Sequence, residues 1–395
     1  VNGTLSGVTQ NTSANAVLTK DIVVNKNVLK PDGTLNDGTF KEWAPIATSA
    51  SPYTGIFEGQ NHTISGVYFN QEDSYDVGLF GRNNGKIANA GILDSYFYGT
   101  SKVGGVCGNN YTGTITNCYN TGSVSGFGTL GGVSGYNYTG RITNCYNTGN
   151  VSGSSGFVGG VSGDNDTGSI TDCYNIGSVS GSEGNVGGVN GNNNGGTITN
   201  SYNAGSVSGI ERYVGGVNGW NNGTITNCYY DSTIYTGNAI GNDKGTTKKV
   251  EGKTIDEFKT GEIAYLLSQG CTIDEVTYDG TIWGQTIGKD TYPTLGGSKV
   301  YKNATYKGCE GKPGDAVSYE YSNTEKNTYG DHPDADNDGK CDVCGAIIDG
   351  IGAKLAGYSL SLTGNIGVNF YMELSDQIIA DKGAYMQFTL PNGTV

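Results

Sequence analysis

Five copies of one pattern, almost evenly spaced, constrain the fold of this 395-residue chain more than any other feature of it. The pattern reads GTITNCYNTGSVSG at residues 113–126, GRITNCYNTGNVSG at 140–153, GSITDCYNIGSVSG at 168–181, GTITNSYNAGSVSG at 196–209 and, fading, GTITNCYYDSTIYTG at 223–237. Each copy follows a glycine-rich lead: VGGVCG at Val103, LGGVSG at Leu130, VGGVSG at Val158, and VGGVNG at Val186 and Val214, with a diverged VGLFG at Val77. Lead-to-lead intervals of 26, 27, 28, 28 and 28 residues mean a stack of like units that bury their apolar faces only against one another.

A period near 28 with three short β runs describes a coil of parallel strands with three faces, stacked about 4.8 Å apart, so that each sequence column becomes a ladder. Ile115, Ile142, Ile170, Ile198 and Ile225 form one expected core ladder, and Val124, Val151, Val179 and Val207 another. Cys118, Cys145, Cys173 and Cys228 form a third, with Ser201 in the fourth copy; a column of small thiols reads as packing, disulfides being the alternative. For Ile115 and Cys118 both to face inward, strict alternation must break between them. The bend or bulge is expected at Asn117 and its equivalents Asn144, Asp172, Asn200 and Asn227, with the amides stacked to satisfy polar groups. Thr114, Thr116, Thr197, Thr199, Thr224 and Thr226 then flank the inward Ile on one outward face, with Thr143 and Thr171 continuing the second column and Arg141 and Ser169 interrupting the first. Such an array could bind ice or sugar rings, although β-branched Thr also simply suits a strand face.

Charged residues are 15% of the chain and its net charge is -14, which argues against nucleic acid or an anionic membrane as partner. No run reaches the roughly 20 apolar residues of a membrane span. The chain opens without Met and stops in a turn sequence, so a larger protein with a signal or wall anchor is expected.

Upstream, β-rich runs over residues 1–76 fit about three further coils. Downstream, Thr254-Ile-Asp-Glu257 is a capping box ahead of Phe258, Ile263, Leu266 and Leu267, predicting a helical segment with a break at Thr260-Gly261 that closes the open end of the coil. A strand, turn and strand over residues 283–295 should finish this cap. The expected domains are 1–242 (solenoid, repeats 77–242), 243–300 (cap), 301–350 (a small Cys/His and Asp-rich module) and 351–395, where alternation in residues 358–362, 366–372 and 384–390 reads as the start of a β-sandwich.

The lead VGGVSG, the spacer, GxITNCYNTG and SVSG, running over residues 77–242, resemble the GLUG motif. Glu42-Trp-Ala-Pro-Ile and the stretch from Tyr53 to Val67 are similar to the segments that lead into it. The resemblance implies a right-handed parallel β-helix. It also implies a large secreted or wall-attached bacterial protein, since such motifs occur in adhesin-like proteins and in non-catalytic parts of immunoglobulin A-specific metallopeptidases. The Cys/His segment and the following β module resemble parts of multi-module surface proteins of Gram-positive anaerobes.

The strongest chemical constellation is Cys341-x-x-Cys344 with Cys309 and His332, which can close a tetrahedral Cys3His shell around zinc. The alternative is a disulfide from Cys309 to one of the pair. Overlapping it, Asp334, Asp336 and Asp338 with Asp342 match the first half of a calcium loop, but Gly345 stands where the bidentate Glu belongs. Residues 126–131 are formally GxGxxG without a following helix, and the two histidines, His62 and His332, exclude an HExxH motif. Asp164, Asp166 and Asp172 are the local acidic group in the repeats that a polysaccharide-processing enzyme on such a scaffold could use, but with no Lys or Arg near Asp172 in its own coil they read as an accident of the surface. The sequence as a whole reads as an all-β, non-catalytic, extracellular or cell-wall-attached stalk or adhesin. Its expected partner is a glycan or a host surface protein, and its expected cofactors are structural zinc, calcium or both.

Overall fold

The computed structural model describes residues 9–210, 213–273, 275–312, 314–333, 335 and 341–344, and the backbone of the strands Ala353–Ser361 and Gly367–Leu374. The chain divides into two compact units, Val1–Tyr301 with Tyr321–Asn323, and Lys302–Glu320 with Thr324–Val395.

The first unit is a parallel β-solenoid. One turn runs Ser101–Gly104, Cys107–Asn110, Thr114–Thr116, Tyr119–Asn120, Ser123–Gly126, and the next repeats it as Leu130–Gly131, Ser134–Asn137, Arg141–Thr143, Tyr146–Asn147, Val151–Gly153. Every strand pairs in parallel with its equivalent one coil on, in columns such as Ile115–Ile142–Ile170–Ile198–Ile225 and Val124–Val151–Val179–Val207. Five short strands per turn replace the three that the pattern suggested, because two further bends are built into it. The first lies in the Gly-Gly of the lead. The second lies at Asn117, Asn144, Asp172, Asn200 and Asn227, which all adopt the left-handed conformation (φ 48 to 55°). That single residue turns Ile115 and Cys118 inward together, and both are fully buried.

The interior is not purely apolar. Asn83, Asn110, Asn137, Asn165, Asn193 and Asn221 point inward at one corner and pass a hydrogen bond from each Nδ2 to the next Oδ1 at 2.9, 2.8, 2.7, 2.8 and 2.8 Å. Asn120, Asn147, Asn175 and Asn203 do the same at a second corner, at 3.0, 2.9 and 2.8 Å. Each amide in the second ladder also donates to a backbone carbonyl two residues on, as Asn147 does to Gly149 at 2.7 Å. The amides of these two ladders are thereby satisfied inside the coil. The second ladder explains the lead's second glycine: a Cβ on Gly132 or Gly160 would lie 2.2 or 2.3 Å from the Cγ of Asn147 or Asn175.

At the N-terminal end, residues 46–70 supply one coil. Among the described residues before them, only Ala16–Val17 and Ile22–Val23 continue the ladder, both against Ile56–Ser65. Three further coils were expected; instead, residues 27–37 form a loop in which the Asp94 carboxylate accepts the backbone N–H groups of Val28 (3.2 Å) and Leu29 (2.8 Å).

At the other end the coil is finished by the parallel strands Ile240–Asp243 and Thr246–Lys253 and by Tyr230, whose ring occupies the corner held by Asn203 one coil earlier. The helical segment is split as expected, α1 (Ile255–Lys259) with a complete capping box at Thr254 and α2 (Glu262–Ser268), separated by left-handed Gly261. Its position differs from the expectation. Phe258, Ile263, Leu267 and Trp283 pack on Tyr202, Ala204 and Tyr229, and the strand pair of Trp283–Gly284 with Thr294–Leu295 completes the cluster. Tyr202 and Tyr229 alternate with inward-facing residues, so the cap covers the outer flank of the last coils rather than the end of the coil.

Candidate functional site

Strands Tyr301–Tyr306 and Ala316–Ser322 form a two-stranded sheet, and in the second unit Ala353–Ser361 pairs antiparallel with Gly367–Leu374. Residues 384–390, the third run of the expected β-sandwich, lie outside the described residues. Among the described residues of 302–344, the buried hydrophobic side chains are Ala304, Cys309 and Cys341, while Val317, Tyr319, Tyr329 and Val343 are exposed. Around that minimal interior the chain gathers Cys309, His332, Cys341 and Cys344, whose ligand atoms all lie within 4.8 Å of one another. The Cys309 and Cys341 sulfurs are 3.4 Å apart, and Cys344 Sγ lies 3.3 Å from His332 Nδ1. This group could hold a metal ion. Asp342 ties its two halves together: its N–H donates to Pro333 O at 2.8 Å, and its carboxylate accepts the Ala335 N–H at 2.7 Å. Those bonds fix the chain after His332 against the Cys-x-x-Cys knuckle, a role that the calcium-loop reading of Asp342 did not anticipate. Asp334, Asp336 and Asp338 lie outside the described residues.

All nine cysteines are free. In the solenoid, Cys118, Cys145 and Cys228 are fully buried, and burial pushes their thiols far above the usual range. Cys173 is equally buried. The sulfurs donate to backbone carbonyls, Cys118 to Thr116 O at 3.3 Å and Cys145 to Thr143 O at 3.2 Å. Thiols so placed pack and do not react.

The threonine face is interrupted. Thr114, Thr116, Thr143, Thr197 and Thr224 are half-buried, but Thr171, Thr199 and Thr226 are buried. Those three sit on the flank that the cap covers, and Thr199 donates to Thr171 at 3.1 Å. The second threonine column is therefore buried from the third repeat onward, and the first is interrupted at Arg141 and Ser169, so the described threonines do not form the continuous flat array that ice binding needs.

The tyrosines form a second outward ladder, Tyr119, Tyr146, Tyr174 and Tyr202, with ring centroids 4.8, 4.7 and 5.1 Å apart and planes within 5° of parallel. Their faces are occupied by one another and, at the far end, by Trp283 and Phe258, leaving edges rather than faces to a ligand.

A different row, on the side of the strand away from the core ladder, lies on the sheet that follows the lead: Arg82, Asn109, Tyr136, Asp164, Asn192, Trp220 and Asn242, paired in register, with Asn109 and Asn192 themselves buried. Asp164 accepts from Asn192 at 2.8 Å, and its neighbour Asp166 accepts from the Tyr136 hydroxyl at 3.1 Å and from Asn194 at 3.2 Å. Burial, assisted by the Asp166 charge and opposed by the Asn192 bond, pushes the Asp164 carboxyl up to about 6. Trp220 is half-buried, with no described aromatic ring against it. Sequence reasoning missed this row as a unit. Its signal is the more variable of the two changing positions in the V-x-G-x-N run, where Asn109, Tyr136, Asp164, Asn192 and Trp220 stand just before the invariant ladder asparagine.

Asp172 stands apart from Asp164 and Asp166. It is buried beneath the cap, where Trp283 Nε1 donates to its carboxylate at 3.0 Å, and burial raises its carboxyl to about 7. The acidic trio of the sequence is therefore two sites on two faces.

Stacked in-register coils with constant corner residues define the first unit as a repeat protein of the parallel β-solenoid class. The model of the GLUG motif matches residues 99–125 and 128–152, so two consecutive coils of the solenoid are GLUG repeats. Halomucin of Haloquadratum walsbyi is 31% identical over 112 residues, 28% of this chain and 1% of halomucin. A protein of Evansella cellulosilytica named as a Gly-rich membrane protein is 34% identical over 80 residues, 19% of this chain and 9% of that protein. The chain thus spans only a small fraction of the length of both relatives. No solved structure matches it. No helix among the described residues is long and apolar enough to cross a membrane.

Proposed function

We propose that the solenoid is a non-catalytic stalk or adhesive surface of a larger extracellular or wall-attached protein. The observation that supports this best is the unbroken passage of the interior ladders from coil to coil, Asn83 to Asn221 among them, which makes each coil a copy of the last. Such repetition suits a stiff spacer, whose stability adds up between neighbours. The names of the two relatives, one mucin-like and one a membrane protein, accord with a surface setting. Antibody against the solenoid should label intact cells of the native organism, and protease added outside should remove that label. Labelling only after permeabilisation would overturn the reading.

Glycan contact is the finer part of this reading, and the row from Tyr136 to Trp220 favours it over the threonine face. An indole with no aromatic ring against it among the described residues, flanked by amides and two strands from the Asp164 carboxylate, offers the chemistry that sugars meet in binding sites: apolar ring faces against the aromatic, hydroxyls to the polar groups. A glycan array should give hits that Trp220→Ala abolishes; no hits would leave a spacer alone. For the second unit the corresponding reading is structural metal, with zinc at the Cys/His group and calcium at the loop of Asp334, Asp336, Asp338 and Asp342 as candidates.

A further inference from the structure

We propose that Cys309, His332, Cys341 and Cys344 form a closed structural zinc site on which the fold of residues 302–344 depends; this rests on the structural-metal reading and commits it to one ion and one shell. Four considerations converge on it. First, the donor set is three sulfurs and one imidazole nitrogen, a set that selects zinc among abundant divalent ions, whereas calcium and magnesium take oxygen. Second, the geometry is that of a shell. Thiolates bound at about 2.3 Å around a tetrahedral ion stand about 3.7 Å from each other. The Cys309–Cys341 and Cys344–His332 separations of 3.4 and 3.3 Å, with all four atoms inside 4.8 Å, lie close to that spacing. A bonded disulfide would instead hold its sulfurs about 2.05 Å apart.

Third, something must replace the missing core. Only Ala304, Cys309 and Cys341 are buried hydrophobics in the described part of this segment, and apolar burial of that size cannot offset the chain entropy of ordering some forty residues. Two of those three side chains are themselves ligands of the proposed ion. Fourth, the partners that orient the ligands are in place. The Asp342 bonds to Pro333 O and the Ala335 N–H lock the His332 segment to the Cys341–Cys344 knuckle, the kind of supporting contact that metal sites rely on. Zinc binding releases the thiol protons of the three cysteines and joins segments that are 32 residues apart between Cys309 and Cys341.

The test uses the full chain, purified aerobically without chelator. Elemental analysis should return one zinc per chain, and cobalt exchange should give the intense thiolate-to-cobalt absorption of a site with several sulfur ligands. Cys341→Ser should lose the stoichiometric zinc while the solenoid's thermal transition is unchanged. Asp342→Ala, which keeps all four ligands, should weaken zinc binding by about 10- to 100-fold. Chelation should open residues 302–344 to protease and spare the coils. Stoichiometric iron in place of zinc would overturn the zinc assignment but leave the structural-metal reading standing. Absence of metal, with peptide mapping that shows Cys309 in a disulfide to Cys341 or Cys344, would overturn both.

Discussion

At the scale of the residue, the solenoid depends on where it puts asparagine. An amide inside a coil costs stability unless both its ends are bonded. Asn147 meets that condition three ways, accepting from Asn120 at 3.0 Å and donating to Asn175 at 2.9 Å and Gly149 O at 2.7 Å. Replacing it with alanine leaves the Asn120 amide group and the Gly149 carbonyl short of a partner in a closed space. Asn147→Ala should destabilise the solenoid by about 2 to 4 kcal/mol, read as a lower denaturant midpoint. The recurrence of this asparagine was legible in the repeats, but its direction was not. An Asn before Thr-Gly reads as a turn residue, and only the stacking of coils shows that its amide turns inward to a copy of itself. The bend at the Asn117 column was legible, because two inward residues three apart demand one between them, and the left-handed φ of 51° occurs there; its side chains, expected to bond backbone groups of neighbouring coils, bond one another instead, as Asn144 does to Asn117 at 3.1 Å.

At the scale of the element, the cap shows the same division. The capping box at Thr254 and the break at Gly261 are local features, and both were readable from the sequence. The surface that the cap covers depends on contacts across more than a hundred residues, such as Trp283 with Asp172, and no local signal carries these. That contact makes a prediction about pH. Burial raises the folded Asp172 carboxyl to about 7, well above the ordinary carboxylate value. Between those two values the folded state keeps a proton that the unfolded state has released, so this group lowers stability as pH rises from about 4 to about 7 and adds nothing further above that. Asp172→Asn restores the residue that the other repeats carry at this place and removes the slope. At pH 8 the variant should be the more stable by at most about 4 kcal/mol, since one pK unit is worth about 1.4 kcal/mol. Trp283 fluorescence during denaturation, at pH 5 and pH 8, reports it; equal pH dependence in both proteins would refute the burial argument.

At the scale of the molecule, a solenoid of in-register coils should tolerate loss of a whole period and nothing else. Deleting residues 130–157, one period of 28, joins Thr129 to Val158 and brings Val103 beside Val158 in the lead sheet. The shortened protein should keep its circular dichroism and cooperative unfolding, whereas deletion of 14 residues from the same place should abolish both, because half a period sets Ile against Gly and breaks every ladder. The repeat period, its identity as a GLUG pattern, the inward Ile, Val and Cys columns and the four metal-competent side chains were all determined by sequence alone, since each is a matter of recurrence or ligand chemistry. Tertiary structure alone decided the five-strand turn, the inward asparagines, the burial of Thr171, Thr199 and Thr226 beneath the cap, and the meeting of Cys309 with His332, Cys341 and Cys344. The physical reason is one of range. Periodicity reports which residues share a column, but whether a column faces core, solvent or another element depends on bends and contacts between residues far apart in the chain.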